Sequence, residues 1–189
     1  MSEGRNVMTD QTTPEGELVG RARKGDKKAF EDLVRMYQEP LYRYLCRLSE
    51  NSEDAMELTQ SSFVKAYFSI GRFRGGSSFK TYLFRIASNT WKNTIRDRGR
   101  RRNIDIDQVS IASGDNPHEE VVRDQEHKKF WSLVEELPAR QKEALTLRIR
   151  EGYHFDEVAK IMGCTTGSAK ASYHRGVEKL KLALKGEDR

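Results

Sequence analysis

The sequence is poor in the residues that stabilise secreted, metal-binding or membrane-spanning proteins. Its 189 residues include two cysteines, Cys46 and Cys164, which lie far apart and belong to no CxxC pair or Cys/His cluster of metal spacing. No apolar run is long enough to span a membrane, and the polar N-terminus lacks the apolar core of a secretory signal. We therefore expect reduced thiols, no metal or other cofactor, no membrane insertion and a cytoplasmic location.

Motifs for catalysis are also missing. The sequence has no phosphate-binding loop and no nucleophile motif, and its four histidines, at positions 118, 127, 154 and 174, are scattered. Strand patterns are equally scarce, and a chain with 36% hydrophobic and 33% charged residues supplies a small helical core better than a thick buried sheet. The sequence predicts an all-α fold, and an enzyme is the least supported functional class.

Apolar residues are present in a helical pattern, at spacings of three and four in three segments of the first half. The stripes include Leu33, Val34 and Tyr37 in the first segment, Leu58, Phe63 and Ala66 in the second, and Phe79, Tyr82, Leu83 and Ile86 in the third. Ser77 or Ser78 is placed to cap the third helix. We predict that these helices enclose one core over residues 15–102, after a disordered polar segment at residues 1–14.

A second helical unit follows a change in composition. Residues 103–118 show no sustained helical or strand period, and we predict that they form a flexible linker. The helical pattern resumes over residues 119–186, where Pro138 is suited to the first turn of a helix. Near the end, a short helix at 155–162 stops at Gly163 and a longer helix restarts after Thr165, which is the helix-turn-helix pattern.

Positive charge is concentrated in residues 72–102, which hold ten Lys and Arg, five aromatic residues and one acid, Asp97. The whole chain has 34 basic and 29 acidic residues, of which 24 and 28 lie outside this segment. The net charge of +5 therefore has a local origin. A solvated helix face followed by a basic linker would explain the charges alone. A nucleic-acid surface would explain both residue types, because phosphates bind Lys and Arg while unpaired bases stack on aromatic rings.

The helix-turn-helix supplies a second candidate DNA contact. Polar residues near the start of the second helix in this motif reach base edges in the major groove. Here they are Ser168, Lys170, Ser172, His174 and Arg175. A short helix, a glycine turn and a longer helix also occur in ordinary bundles. Two nucleic-acid signals of different physical type in one chain nevertheless favour DNA binding.

Two long segments resemble the bacterial extracytoplasmic-function sigma factors. The segment ENSEDAMELTQSSFVKAYFSIGRFRGGSSFKTYLFRIASNTWKNTIRDRGRRR is similar to region 2 of that family, and LPARQKEALTLRIREGYHFDEVAKIMGCTTGSAKASYHRGVEKLKLAL is similar to region 4. The resemblance implies two small helical domains, a region 2 bundle and a region 4 helix-turn-helix, in a transcription initiation factor that catalyses nothing. Ser61 stands where the family usually has an acid, and Ala171-Ser172 where it commonly has Ser-Arg.

The resemblance also implies roles for individual residues. Asp54, Glu57 and Gln60 match positions that dock on the clamp of the polymerase β′ subunit. The promoter minus-10 element would be read as a melted single strand, with a flipped base held by a loop and the helix after it. The matching residues are Ser69, Phe73, Lys80, Arg85, Ile86, Asn89, Lys92 and Arg96. Region 4 would contact the β flap and read the minus-35 element as duplex through Ser168, Lys170, Ser172, His174 and Arg175.

Core RNA polymerase, promoter DNA and an anti-sigma factor are the partners that the resemblance implies. The alternative is a helix-turn-helix regulator that binds duplex DNA without acting as a sigma factor. That alternative accounts for residues 155–184 but leaves the aromatic and glycine-rich segment at 72–102 without a role. Specific binding of single-stranded minus-10 DNA would separate the two hypotheses.

Overall fold

Helices make up most of the chain that the structure describes. A computed structural model describes residues 14–102 and 125–186. The helices in these ranges are α1 (Pro14–Arg23), α2 (Lys27–Leu48), α3 (Ser52–Ser69), α4 (Phe79–Arg102), α5 (Gln125–Glu135), α6 (Ala139–Leu145), α7 (Phe155–Met162) and α8 (Thr166–Gly186). No strand occurs within those ranges, so the predicted all-α fold is confirmed. The predicted linker at 103–118 and residues 1–13 of the predicted disordered segment lie outside the described residues.

Short polar side chains fix where the helices of the first half begin. Asp26 Oδ1 accepts a hydrogen bond from the Ala29 amide at 3.1 Å, and Asn51 Oδ1 accepts one from the Asp54 amide at 2.8 Å. Ser78 Oγ accepts a hydrogen bond from the Thr81 amide at 3.1 Å and therefore caps α4. Of the two serines that the sequence placed at this helix start, Ser78 makes the capping bond.

The core of the first half lies between α2, α3 and α4. Its largest side chains include Tyr44, Phe79, Phe84 and Trp91, each no more than 2% exposed. The indole Nε1 of Trp91 donates a hydrogen bond to the carbonyl of Leu48 at 3.0 Å. This bond satisfies a carbonyl at the end of α2 that no later residue of the helix can reach. Trp91 therefore fixes the end of α2 against the middle of α4.

The second half contains the predicted helix-turn-helix, which is confirmed. Helix α7 ends at Gly163, whose φ of 67° is the left-handed conformation that favours glycine. The amide of Cys164 donates to the carbonyl of Ala159 at 3.0 Å, and Thr165 Oγ1 accepts from the Ser168 amide at the start of α8. Helix α6 continues into a π turn at Thr146–Arg150, where the amide of Glu151 donates to the carbonyl of Thr146.

The two halves pack directly against each other. Helix α4 of the first half contacts α7, and α2 contacts α6. One apolar cluster contains buried residues from both halves, including Phe84 and Trp91 from α4 and Val158 and Met162 from α7. The sequence suggested two separate units on a linker, and periodicity carries no information about contacts between distant helices. Part of α4 is consequently covered by the second half.

A close approach between α6 and α8 occurs at Gly176. A Cβ atom at this position would lie 2.7 Å from Leu145 Cδ1 and 3.4 Å from Gln141 Cβ. Leu145 is fully buried, so its side chain has little room to move away. Gly167, in the first turn of the same helix, has no atom within 4 Å of the equivalent Cβ position.

We expect Gly176→Ala to destabilise the protein by about 1 kcal/mol. Overpacking costs roughly 1–3 kcal/mol, and alanine returns about 0.5–1 kcal/mol in helix propensity. Gly167→Ala is the matched control and should leave stability unchanged or slightly increased. Urea unfolding followed by far-ultraviolet circular dichroism measures both effects. Equal stability of Gly176→Ala and the wild type would contradict tight packing at this crossing.

Candidate nucleic-acid interface

One face of α4 carries polar and basic side chains that solvent can reach. Arg85, Asn89 and Arg96 are exposed and Ile86 is half-buried. Arg85, Asn89 and Arg96 follow one another at spacings of four and seven residues, which places them along one side of a helix. The other side of the helix buries Phe84, Ala87 and Trp91. Burial of one side of α4 thus presents the other side as a basic stripe, with Asp97 as the one acid of this helix.

The loop before α4 is held by its own aromatic residues. Phe73 is 7% exposed, and its ring centroid lies 4.7 Å from that of Tyr82 and 6.3 Å from that of Phe79. Ser69 Oγ shares a hydrogen bond with the Tyr82 hydroxyl at 2.6 Å and donates to the carbonyl of Lys65. In this arrangement Phe73 anchors the loop and does not present a free ring face. Sequence patterns could not separate an anchoring aromatic residue from a stacking one.

Two of the predicted minus-10 residues make contacts with the second half of the protein. Lys92 Nζ donates to Ser88 Oγ and to the Met162 carbonyl, both at 2.8 Å, and lies 3.2 Å from Glu143 Oε2. Lys80 Nζ lies 5.0 Å from the centroid of the Tyr153 ring and 5.5 Å from that of Phe84. The structure thus separates these lysines from the free stripe formed by Arg85, Asn89 and Arg96.

Helix α8 presents the predicted minus-35 residues together. Ser168, Lys170, His174 and Arg175 are exposed and Ser172 is half-buried. The opposite side of α8 buries Ala169 and Leu180. Tyr173 packs edge-on against Phe155 of α7, with ring centroids 5.3 Å apart, and so fixes the rotation of α8. An exposed polar face at the start of a rigid helix has the shape of a major-groove reader.

The predicted polymerase-binding residues lie on α3, in two different environments. Glu57 and Gln60 are exposed. Asp54 accepts hydrogen bonds from both terminal nitrogens of Arg98, at 2.6 and 2.8 Å. These bonds lower the pKa of the Asp54 carboxyl. Asp54 therefore ties the start of α3 to the end of α4, a structural contact that the sequence did not indicate.

Exposed apolar side chains accompany Gln60 along α3. Met56 and Val64 are each 55% exposed and Phe68 is 80% exposed. Together with Gln60 they recur every four residues and form one stripe. A protein surface that keeps several large apolar groups in water is typical of a docking site for another protein. The exposed apolar residues of this helix were not among the predicted site residues.

Sequence reasoning also missed the charged residues buried in α6. Glu143 is fully buried and Lys142 is 1% exposed. Burial lowers the pKa of Lys142 to about 8. The signal that could have found them is two adjacent charges inside the apolar pattern of this helix. Cys46 and Cys164 are free thiols, and burial raises the pKa of the Cys164 thiol, which disfavours the reactive thiolate.

Metal and membrane features are absent from the ranges that the structure describes. No group of three or more His, Cys, Asp or Glu side chains there is placed to hold a metal ion. No helix in those ranges is both long enough and apolar enough to cross a bilayer.

A basic helix stripe followed by a helix-turn-helix is typical of DNA-binding proteins, and we assign this protein to that class. Comparison with known proteins then identifies its family. The model of Sigma-70 region 2 matches residues 33–101, and that of Sigma-70, region 4 matches residues 127–180. The RNA polymerase sigma-H factor of Pseudomonas aeruginosa is 34% identical over 89% of this chain and 92% of its own length. The ECF RNA polymerase sigma-E factor of Haemophilus influenzae is 35% identical over 92% of this chain and 96% of its own length.

A solved structure gives the same result. The sigma factor RpoE of Bartonella quintana, in complex with the anti-sigma factor NepR, superposes with a TM-score of 0.69 and 28% identity over 84% of this chain and 98% of that one. The chain belongs to the extracytoplasmic-function sigma factors, the proteins that direct RNA polymerase to promoters for the initiation of transcription.

The Asp54–Arg98 pair predicts a pH-dependent contribution to stability. A carboxyl whose pKa is lowered on folding stabilises the fold above its usual pKa, and this contribution is lost as pH falls through the lowered value. We expect Arg98→Gln to cost about 1 kcal/mol at neutral pH, because the pair is only partly buried. The difference from the wild type should shrink toward zero at a pH well below the usual Asp pKa of about 4.

Urea titrations at neutral and acidic pH measure this difference. Arg100→Gln is the matched control, because Arg100 is exposed on the same helix and should contribute little at either pH. A stability loss in Arg98→Gln that stays constant across the pH range would show that the Asp54 carboxylate is not its cause.

Proposed function

We propose that this sigma factor reads the two promoter elements in different physical states, the minus-35 element as duplex through α8 and the minus-10 element as a melted strand through α4. The observation that carries the proposal is the pair of exposed polar faces on these helices, each with its opposite side buried in apolar packing. A rigid helix with a polar face can enter a major groove, and a basic stripe beside a short loop can hold a single strand.

The minus-10 part of the proposal rests on Asn89 and Ile86 beside the loop. Opening a duplex costs roughly 1.4 kcal/mol per base-pair step in stacking, so captured bases must be held by contacts made only in the melted state. The amide of Asn89 can donate to and accept from the edge of a flipped base, and Ile86 offers it an apolar surface. Arg85 and Arg96 lie on the same side and supply the positive charge for the backbone.

The core polymerase contact is assigned to the exposed face of α3 for region 2. Glu57 and Gln60 would form its polar part on the β′ clamp, with Asp54 contributing through its place at the start of the helix. The apolar residues Met56, Val64 and Phe68 extend this surface, because apolar area removed from water favours association. Region 4 would make the second contact, with the β flap. The protein acts by binding and has no catalytic role of its own.

Control by an anti-sigma factor in the cytoplasm completes the proposal. The structural relative RpoE was solved in complex with the anti-sigma factor NepR, and its likeness extends over 84% of this chain. A partner of that kind would bind both halves and keep polymerase and DNA away. The cytoplasm is the proposed location because the chain must meet core polymerase and chromosomal promoters there.

The minus-10 assignment predicts that Asn89→Ala loses promoter opening. With core polymerase and a promoter selected from a random library, we expect transcription to fall roughly tenfold or more, since an unpaired base edge costs about 1–3 kcal/mol. Binding of the non-template minus-10 oligonucleotide to the holoenzyme should fall in parallel. Gln38→Ala removes an exposed amide from α2 and should have no effect. Failure of the wild-type holoenzyme to bind any minus-10 strand specifically would favour a duplex-only regulator.

The minus-35 assignment predicts a different pattern for Lys170→Ala. Affinity of the holoenzyme for a duplex minus-35 probe should fall roughly tenfold, while binding of the single-stranded minus-10 oligonucleotide stays unchanged. Lys181→Ala is the matched control, because Lys181 is exposed three turns further along the same helix. Equal losses in the two lysine variants would indicate only general attraction to DNA and would contradict base reading by the start of α8.

A further inference from the structure

A buried carboxylate lies where the two halves of the protein meet. Glu143 belongs to α6 in the second half and is fully buried. Its polar partners all come from the first half: Ser88 Oγ donates to Oε1 at 2.5 Å, Tyr44 Oη donates to the same atom at 3.4 Å, and Lys92 Nζ lies 3.2 Å from Oε2. The contact therefore exists only while the halves are together.

This carboxylate disfavours other ways of packing the halves. A buried charge without its partner is strongly unfavourable, so a shifted arrangement that kept Glu143 buried away from Lys92 would be disfavoured. Lys92 is also held by the Met162 carbonyl of α7, at 2.8 Å. Apolar residues of both halves favour their association, and the Glu143–Lys92 pair favours this relative position of the halves.

The same contact also allows the two halves to separate. When the halves separate, both members of the ion pair return to water, which recovers the solvation that burial removed. Within the described residues, the Tyr153 hydroxyl is buried at this junction without a hydrogen-bond partner. This unpaired hydroxyl reduces the stability of the closed arrangement. The junction is thus specific in geometry without being strongly stabilised.

Closure covers two cations that the resemblance to sigma factors assigns to the minus-10 strand. Lys92 is paired with Glu143, and Lys80 lies between the rings of Phe84 and Tyr153. Glu151 of the second half adds an attractive charge for Lys80. Each phosphate contact that is lost removes part of the affinity and of its salt dependence. The residues of α8 stay exposed in the same arrangement.

We propose that the Glu143–Lys92 contact is an autoinhibitory latch, which keeps the free chain closed and withholds Lys80 and Lys92 from single-stranded DNA until the halves separate. The latch itself concerns the chain alone, and its effect on DNA rests on the proposed function. No partner is needed to form it, because all its groups belong to one chain.

Charge exchange across the junction tests the latch without DNA or polymerase. A compact chain of 189 residues has a radius of gyration near 16 Å, to which terminal segments add. In small-angle X-ray scattering we expect Lys92→Glu and Glu143→Lys each to increase this radius by at least about 3 Å over the wild type, since like charges then face each other. The double variant Lys92→Glu/Glu143→Lys should return to the wild-type radius.

Two controls separate opening from unfolding and from a general charge effect. Lys92 is partly exposed, so Lys92→Glu should keep the wild-type far-ultraviolet circular dichroism even if Glu143→Lys disturbs α6. Glu178→Lys makes the same charge change at an exposed position of α8 and should leave the radius unchanged. A wild-type radius in Lys92→Glu, or a double variant that stays as open as the single ones, would overturn the latch.

Oligonucleotide binding then tests autoinhibition. For the free chain, Glu143→Lys should bind a single-stranded minus-10 oligonucleotide roughly tenfold more tightly than Glu178→Lys, which carries the same added charge. The slope of log affinity against log salt should steepen by about 1.4, the value for two further phosphate contacts on a single strand. Opening without this gain would overturn autoinhibition. Failure of the wild-type holoenzyme to transcribe would instead count against the proposed function.

Discussion

Helix α4 must bury one side in a core while its other side stays available to phosphate, and the rest of the structure depends on this constraint. Trp91 and Phe84 fill the core, and the indole of Trp91 holds the end of α2 through the Leu48 carbonyl. With its buried side fixed, the helix cannot rotate, so Arg85 and Asn89 are directed to solvent. Such rigidity favours the binding of a DNA strand, because side chains that are already in position lose little conformational freedom when the strand binds.

The distribution of charge also depends on α4. The segment at 72–102 contains one acid, so the exposed side of α4 has almost no neutralising charge of its own. Acids reach α4 from elsewhere: Asp54 of α3 pairs with Arg98 near the helix end, and Glu143 of α6 pairs with Lys92 in the middle. The first pair joins helices of one half and is compatible with DNA binding. The second joins the two halves and, in the proposed latch, competes with DNA for Lys92.

Local features of the fold could be predicted from the sequence, and tertiary ones could not. Apolar spacing placed the helices, and Gly163 and Thr165 marked the helix-turn-helix, because these signals act over a few residues. The burial of Phe73 depends on Tyr82 and Phe79, whose positions only the folded chain gives. Glu143 and Ser88 are 55 residues apart in the sequence, and no local pattern connects them. Resemblance to a family supplied candidate binding residues, but it did not show which of them already make contacts within the folded chain.

Because the halves pack directly against each other, the two proposed DNA-reading faces differ in accessibility. The exposed side chains of α8 are on the surface in the closed arrangement, whereas Lys80 and Lys92 are engaged by the second half. In the proposed function, duplex recognition would require no rearrangement of such a molecule, and single-strand recognition would gain two cations only after the halves separate. Polymerase binding, which draws the halves to different subunits in the proposed function, would supply the free energy for that separation, because a partner shifts an equilibrium by its differential affinity for the two states. Strand capture would then be strongest on the enzyme that melts the promoter, and free sigma factor would bind stray single strands weakly.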